Sequence, residues 1–155
     1  RRGSSPAGTS NLSRLPLSDP EAAPMKKLLE ALDVQCIIAP QDVGTADVTG
    51  TYVDVSNAER VVLLAKAGAV TAGKILTVTP MQATDTSGTS AKALGSASTA
   101  TGAGGNAPAD VEIEIAASDL DAANGFKCVT VVLGIDENAK LGAAYIVKGD
   151  RRYQP

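Results

Sequence analysis

The chain has 155 residues and a mass of 15.6 kDa, room for one domain with tails and too few residues for two full domains. It is 44% hydrophobic but only 3% aromatic, with no His and no Trp, so its core must be Val, Ile, Leu and Ala, and His-based catalysis or His-ligated zinc and haem are excluded. The net charge of −3 divides unevenly: residues 1–32 carry +2, residues 33–150 hold 7 basic against 14 acidic residues for −7, and residues 151–155 add +2.

Residues 1–24 are rich in Arg, Ser, Gly and Ala, and Pro6, Pro16, Pro20 and Pro24 forbid a long helix or central strand, so this stretch reads as an extended N-terminal arm. Ser18-Asp19-Pro20-Glu21 fits a capping box able to open a single turn. Met25, Leu28, Leu29 and Leu32 then fall at helical spacing and predict a short amphipathic helix over residues 25–32. Its apolar face either packs on its own domain or helps the arm dock on a neighbour. Arg1-Arg2-Gly3-Ser4-Ser5 carries neither Met nor the apolar stretch of a signal peptide, so the chain reads as processed, trimmed or part of a longer product, with Met25-Lys26-Lys27 resembling a translation start.

From Asp33 the texture changes to short apolar runs divided by Gly, Pro, Asn and Asp. Strands are predicted near Val34–Ala39, Thr51–Val55, Arg60–Ala67, Ile75–Ala83, Val111–Ala116, Phe126–Gly134 and Ala143–Lys148, with a weaker one at Lys92–Leu94. Val111-Glu112-Ile113-Glu114-Ile115 alternates strictly and reads as half-buried, whereas Arg60–Ala65 and Cys128–Leu133 are continuous enough to be central strands covered on both faces. The fold expected over residues 33–150 is therefore all-β, an antiparallel β-sandwich or jelly-roll-like domain, followed by a C-terminal tail at 151–155. Crossover helices are too few for a parallel α/β sheet.

Residues 84–109 stand apart, with 21 small residues among 26 and Leu94 the one large aliphatic. Such a segment cannot bury enough apolar area to offset its own ordering entropy, and it is expected as a long exposed loop that orders against another subunit. Gly102-Ala103-Gly104-Gly105 lacks the Lys-Ser/Thr pair of a phosphate loop. Asp110, Glu112, Glu114, Asp119 and Asp121 could suggest calcium but have no loop register, so a solvated face is the simpler reading. Cys36 and Cys128 lie in apolar runs and are expected as free, buried thiols, the alternative being a disulfide between neighbouring strands, which needs a Cα separation below about 7 Å. Tyr52, Phe126 and Tyr145 fall within predicted strands, leaving no aromatic platform for a sugar. No cofactor and no metal site are expected. An acidic body is a poor nucleic-acid binder, and no apolar run reaches the roughly 18 residues of a membrane span. The basic ends either reach acidic surfaces on a neighbouring subunit or are solvated tails. Arg1, Arg2 and Arg14 are the candidates for contacts with acidic neighbours, because the guanidinium fork suits carboxylates, and Arg151, Arg152 and Tyr153 form a second candidate patch.

Three stretches carry a resemblance. They are Thr51-Tyr52-Val53-Asp54-Val55-Ser56-Asn57-Ala58-Glu59-Arg60 running into Val61–Leu64; Gly73-Lys74-Ile75-Leu76-Thr77-Val78-Thr79-Pro80-Met81-Gln82-Ala83-Thr84-Asp85 with Ser87-Gly88 and Ala91-Lys92; and Gly142-Ala143-Ala144-Tyr145-Ile146-Val147-Lys148-Gly149-Asp150-Arg151-Arg152-Tyr153. Together the chain from about Asp33 resembles structural proteins of tailed bacteriophages, in particular head decoration or cement proteins of HK97-type capsids. The resemblance implies a non-enzymatic virion protein on the outer capsid surface, partnered by the major capsid protein, assembled as a homo-oligomer with a trimer favoured, and clamping neighbours through its arms. Leu28 and Leu29 join the arginines as candidate interface residues. A neck, tail or fibre-associated subunit and a host-surface binding module are the alternatives, and a carboxylate-only glycosidase is the remaining enzymatic reading.

Overall fold

A computed structural model describes residues 32–151. The expected arm, residues 25–31 of the expected helix, and residues 152–155 lie outside the described residues.

Ten strands form among the described residues, in two antiparallel sheets that pack as a β-sandwich. The first sheet has the spatial order β1 (Asp33–Asp42), β10 (Leu141–Arg151), β4 (Ala58–Ala69), β8 (Pro108–Ala116). The second runs β2 (Val48–Thr49), β9 (Cys128–Ile135), β5 (Ile75–Ala83), β6 (Lys92–Ala93), with β3 (Val53–Asp54) also pairing β9 and β7 (Ser98–Thr101) also pairing β5. Two 3-10 turns, Ala117–Asp119 and Ala122–Asn124, link β8 to β9.

The registers show how a core without aromatics closes. In the first sheet Leu63 lies between Ile113 and Ile146, Ala65 between Val111 and Ala144, and Ala67 between Ala109 and Gly142. Side-chain size therefore tapers along the sheet. Val43 fills the narrow end, where a Cβ added to Gly142 would lie 2.7 Å from Val43 Cγ2. Leu76, Val78, Val129, Val131 and Leu133 of the second sheet, each 0% exposed, meet this surface and contribute about 1.5–3 kcal/mol apiece through burial. The chain also stitches the sheets together directly: the Gly50 N–H donates to Val131 O of β9 and the Thr51 N–H to Ile37 O of β1, both at 2.9 Å.

Several expectations need correction. β9 is buried along nearly its whole length, as its continuous apolar run predicts, but β4 is covered on one face only. Val62 and Leu64 alternate outward and remain half-buried while Val61, Leu63 and Ala65 point inward, because the second sheet lies on just one side. The segment 84–109 is not a free loop. It supplies β6 and β7 to the edge of the second sheet, Leu94 is 9% exposed, and the Leu94 N–H donates to Pro80 O at 2.8 Å. Lys92 fastens it further, its Nζ 2.5 Å from Asp121 Oδ2 and 4.2 Å from the centroid of the Phe126 ring. The segment orders despite its composition because it borrows apolar surface and backbone partners from β5 rather than building its own. Both cysteines are free, but only Cys128 is buried; Cys36 takes an outward position on an edge strand. Tyr52 and Phe126 lie just outside strands, and of the three only Tyr145 is within one.

Candidate interface surfaces

The start of β1 and the end of β10 are neighbours. Asp33 pairs with Lys148, and the Leu32 Cδ2 lies 3.4 Å from where a Cβ on Gly149 would stand. Arg151, the last residue of β10, pairs with Ala58 at the start of β4. Residues 1–31, and the C-terminal cluster that begins at Arg151, therefore join the body at one end of the first sheet.

At that same end the structure opens an apolar cleft of about 180 Å3 floored by Val55, Ala58, Val61, Ile115, Leu120 and Phe126. The volume suits one large side chain and falls below the roughly 300–1,000 Å3 of small-molecule pockets. Arg60 and Lys127 stand at its rim, and each has a carboxylate partner: Arg60 Nη1 lies 3.1 Å from Glu114 Oε1 and Lys127 Nζ 3.7 Å from Asp54 Oδ2. The Asp54 carboxyl is held below its ordinary value, its burial being outweighed by hydrogen bonds from Ser56 and the Lys127 charge. The cleft is thus an apolar socket with a neutralised rim. No local pattern in the sequence marks it, since its walls come from three separate stretches of chain, 55–61, 115–122 and 126–127; the lone phenylalanine after Gly125 was the available signal.

The outward face of the first sheet is a second surface. Two cross-strand rows, Val34–Val147–Val62 and Cys36–Tyr145–Leu64, lie side by side across β1, β10 and β4. Val34 is 52% and Tyr145 37% exposed. Glu114 and Glu112 of β8 close the two rows on one side, where Arg60 pairs with Glu114 and Lys66 with Asp110.

Of the candidate residues from sequence, Arg1, Arg2, Arg14, Leu28, Leu29, Arg152 and Tyr153 lie outside the described residues, and Arg151 is placed by its backbone pairing at the cleft end. The acidic residues considered for calcium are dispersed. Asp110 and Glu114 have the basic partners just described, Asp119 Oδ2 accepts the Ala116 N–H at 2.9 Å, and Asp121 is held by Lys92 and Asn124, which keep its carboxyl below the usual range. Among the described residues no three His, Cys, Asp or Glu side chains gather into a possible metal cage. Gly102 belongs to a turn, exchanging backbone hydrogen bonds with Gly73 and Lys74. Comparison with known protein families, with characterised proteins and with solved structures gives no match.

Proposed function

We propose that the chain is a non-enzymatic decoration or cement protein that binds the outer surface of a phage capsid and stabilises the shell by clamping adjacent major capsid subunits. One observation carries most of the weight: the two basic tails join an acidic β-sandwich at the same end, so both can engage one surface while the body stays clear of it. Arms tethered this way bind at high local concentration, because a shell presents neighbours at fixed spacing, and weak single contacts then sum to stable attachment. Arg1, Arg2 and Arg14 face acidic patches of the capsid in this reading, with Arg151, Arg152 and Tyr153 beside them. A trimer is the assembly that suits a three-fold position. The phage-like stretches of sequence support the assignment alongside the geometry.

The test is removal of residues 1–24 followed by binding to bare HK97-type phage capsids. Reduced occupancy and a lower shell melting temperature support the clamp; unchanged occupancy and melting contradict it.

A further inference from the structure

Independently of capsid binding, the connection between β8 and β9 holds the one Asn-Gly step among the described residues, Asn124-Gly125, at the end of the second 3-10 turn. Both residues are exposed, Gly125 stands at φ +82°, and nothing lies within 4 Å of where its Cβ would be. An asparagine side chain is open to attack by the backbone nitrogen of the residue that follows, and a Cβ on that residue is what normally crowds the approach. Asn57, Asn106 and Asn138, the other described asparagines, each precede an alanine. The turn is also restrained. Asn124 Nδ2 donates to Asp121 Oδ1 at 2.8 Å and to Oδ2 at 2.9 Å, and the Gly125 N–H donates to Ala122 O at 3.0 Å, so hydrogen bonds hold both the group to be attacked and the attacking nitrogen.

We propose that Asn124-Gly125 is a deamidation site restrained by Asp121, and that its conversion loosens the clasp that Asp121 makes with Lys92. The Gly125 nitrogen bonds to Asn124 Cγ, the Cγ–Nδ2 bond breaks, and ammonia leaves carrying the Gly125 proton. Water then opens the cyclic imide. Opening at Cγ leaves aspartate, whereas opening at the main-chain carbonyl leaves isoaspartate, with one more methylene in the backbone. Either product sets a new carboxylate beside Asp121 in place of the amide donor, and like charges at that range repel. Asp121 is the hub of this corner: its Oδ2 lies 2.5 Å from the Nζ of Lys92 in β6, and its N–H donates to Gln82 Oε1 at 3.0 Å. Phe126, on the floor of the apolar cleft, follows Gly125 directly, so a longer backbone also shifts that ring.

The test is incubation of the full-length chain in mildly alkaline buffer at physiological temperature, followed by peptide mass mapping and enzymatic methylation of isoaspartate. The expected result is a gain of about 1 Da in the peptide holding Asn124, with isoaspartate at that position. It should form at least about tenfold faster than at Asn57, Asn106 or Asn138, whose following alanine crowds the attack. Asp121→Ala should speed the reaction several-fold by freeing the amide. Conversion at Asn124 no faster than at the three Asn-Ala steps overturns the site, and an unchanged or slower rate in Asp121→Ala overturns the restraint. The converted fraction, separated by anion exchange on its added negative charge, should melt a few degrees below the parent chain. Equal melting overturns the loosened clasp.

Discussion

Glu137 accepts both the backbone N–H and the hydroxyl of Thr71, at 2.9 and 2.6 Å, across 66 residues of chain. The contact ties the connection between β4 and β5 to the connection between β9 and β10, both of which cross from one sheet to the other, at the end of the sandwich opposite the tails. Lys140 completes it, pairing with Glu137 at 3.0 Å while donating to Ala69 O at 2.7 Å.

Thr71 is the main reason the Glu137 carboxyl is lowered from 4.5 to about 2, with Lys140 adding to it. A group depressed on folding stabilises the native state fully above its unfolded value and loses that effect as pH falls through its folded value. The clip therefore weakens between 4.5 and about 2. Urea unfolding across that window should show a smaller acid-induced loss of stability in Glu137→Gln than in the parent chain. Equal losses would show that Glu137 is not the titrating group.

Lys148 and Asp33 form a partly buried pair at 2.9 Å, with Lys148 8% exposed. Removing only the carboxylate takes the ion-pair partner from a buried ammonium whose strand neighbour on the other side is the apolar Val61. Asp33→Ala should cost about 2 kcal/mol, whereas Lys148→Met, which keeps the aliphatic stem, should be close to neutral. Denaturant midpoints for the two variants check the order, and the reverse order would refute it.

Thr130 presents a fully buried hydroxyl that makes no hydrogen bond, beside Gly50. Thr130→Val removes the desolvated oxygen at nearly constant shape and should raise stability by about 1 kcal/mol. A loss of similar size in thermal unfolding would mean that a bound water satisfies the hydroxyl.

Gly88 sits at φ +82° under the Tyr52 ring, where an added Cβ would come 2.7 Å from Cε2. Gly88→Ala meets both a left-handed backbone and the half-buried Tyr52 ring, and should cost about 1–2 kcal/mol. Gly95 has a similar φ and nothing within 4 Å, so Gly95→Ala should show the backbone cost alone. Equal melting temperatures for the two variants would remove the role given to Tyr52.

The sequence revealed the sandwich where side chains enforce the strand. β5, β8, β9 and β10 are visible as alternating or β-branched runs, since a strand with a buried face must repeat every second residue. β2 and β7 left no such trace, because two residues at Val48–Thr49 and four small ones at Ser98–Thr101 are strands only through the backbones of β9 and β5. The outward face of β4 misled for a related reason: Val62 and Leu64 are apolar without being enclosed by the second sheet. Of the candidate interface, the basic tails were legible as charge, but their shared exit and the socket beside it depend on pairings such as Arg151 with Ala58, which no local pattern encodes.

The central claim is attachment to the outside of a capsid. Image reconstruction of bare HK97-type phage capsids incubated with the full-length chain addresses it most directly. The account predicts density distributed over the outer shell, with the tail end of the sandwich turned toward the capsid. Density confined to the portal vertex or tail, or no bound density, would contradict it.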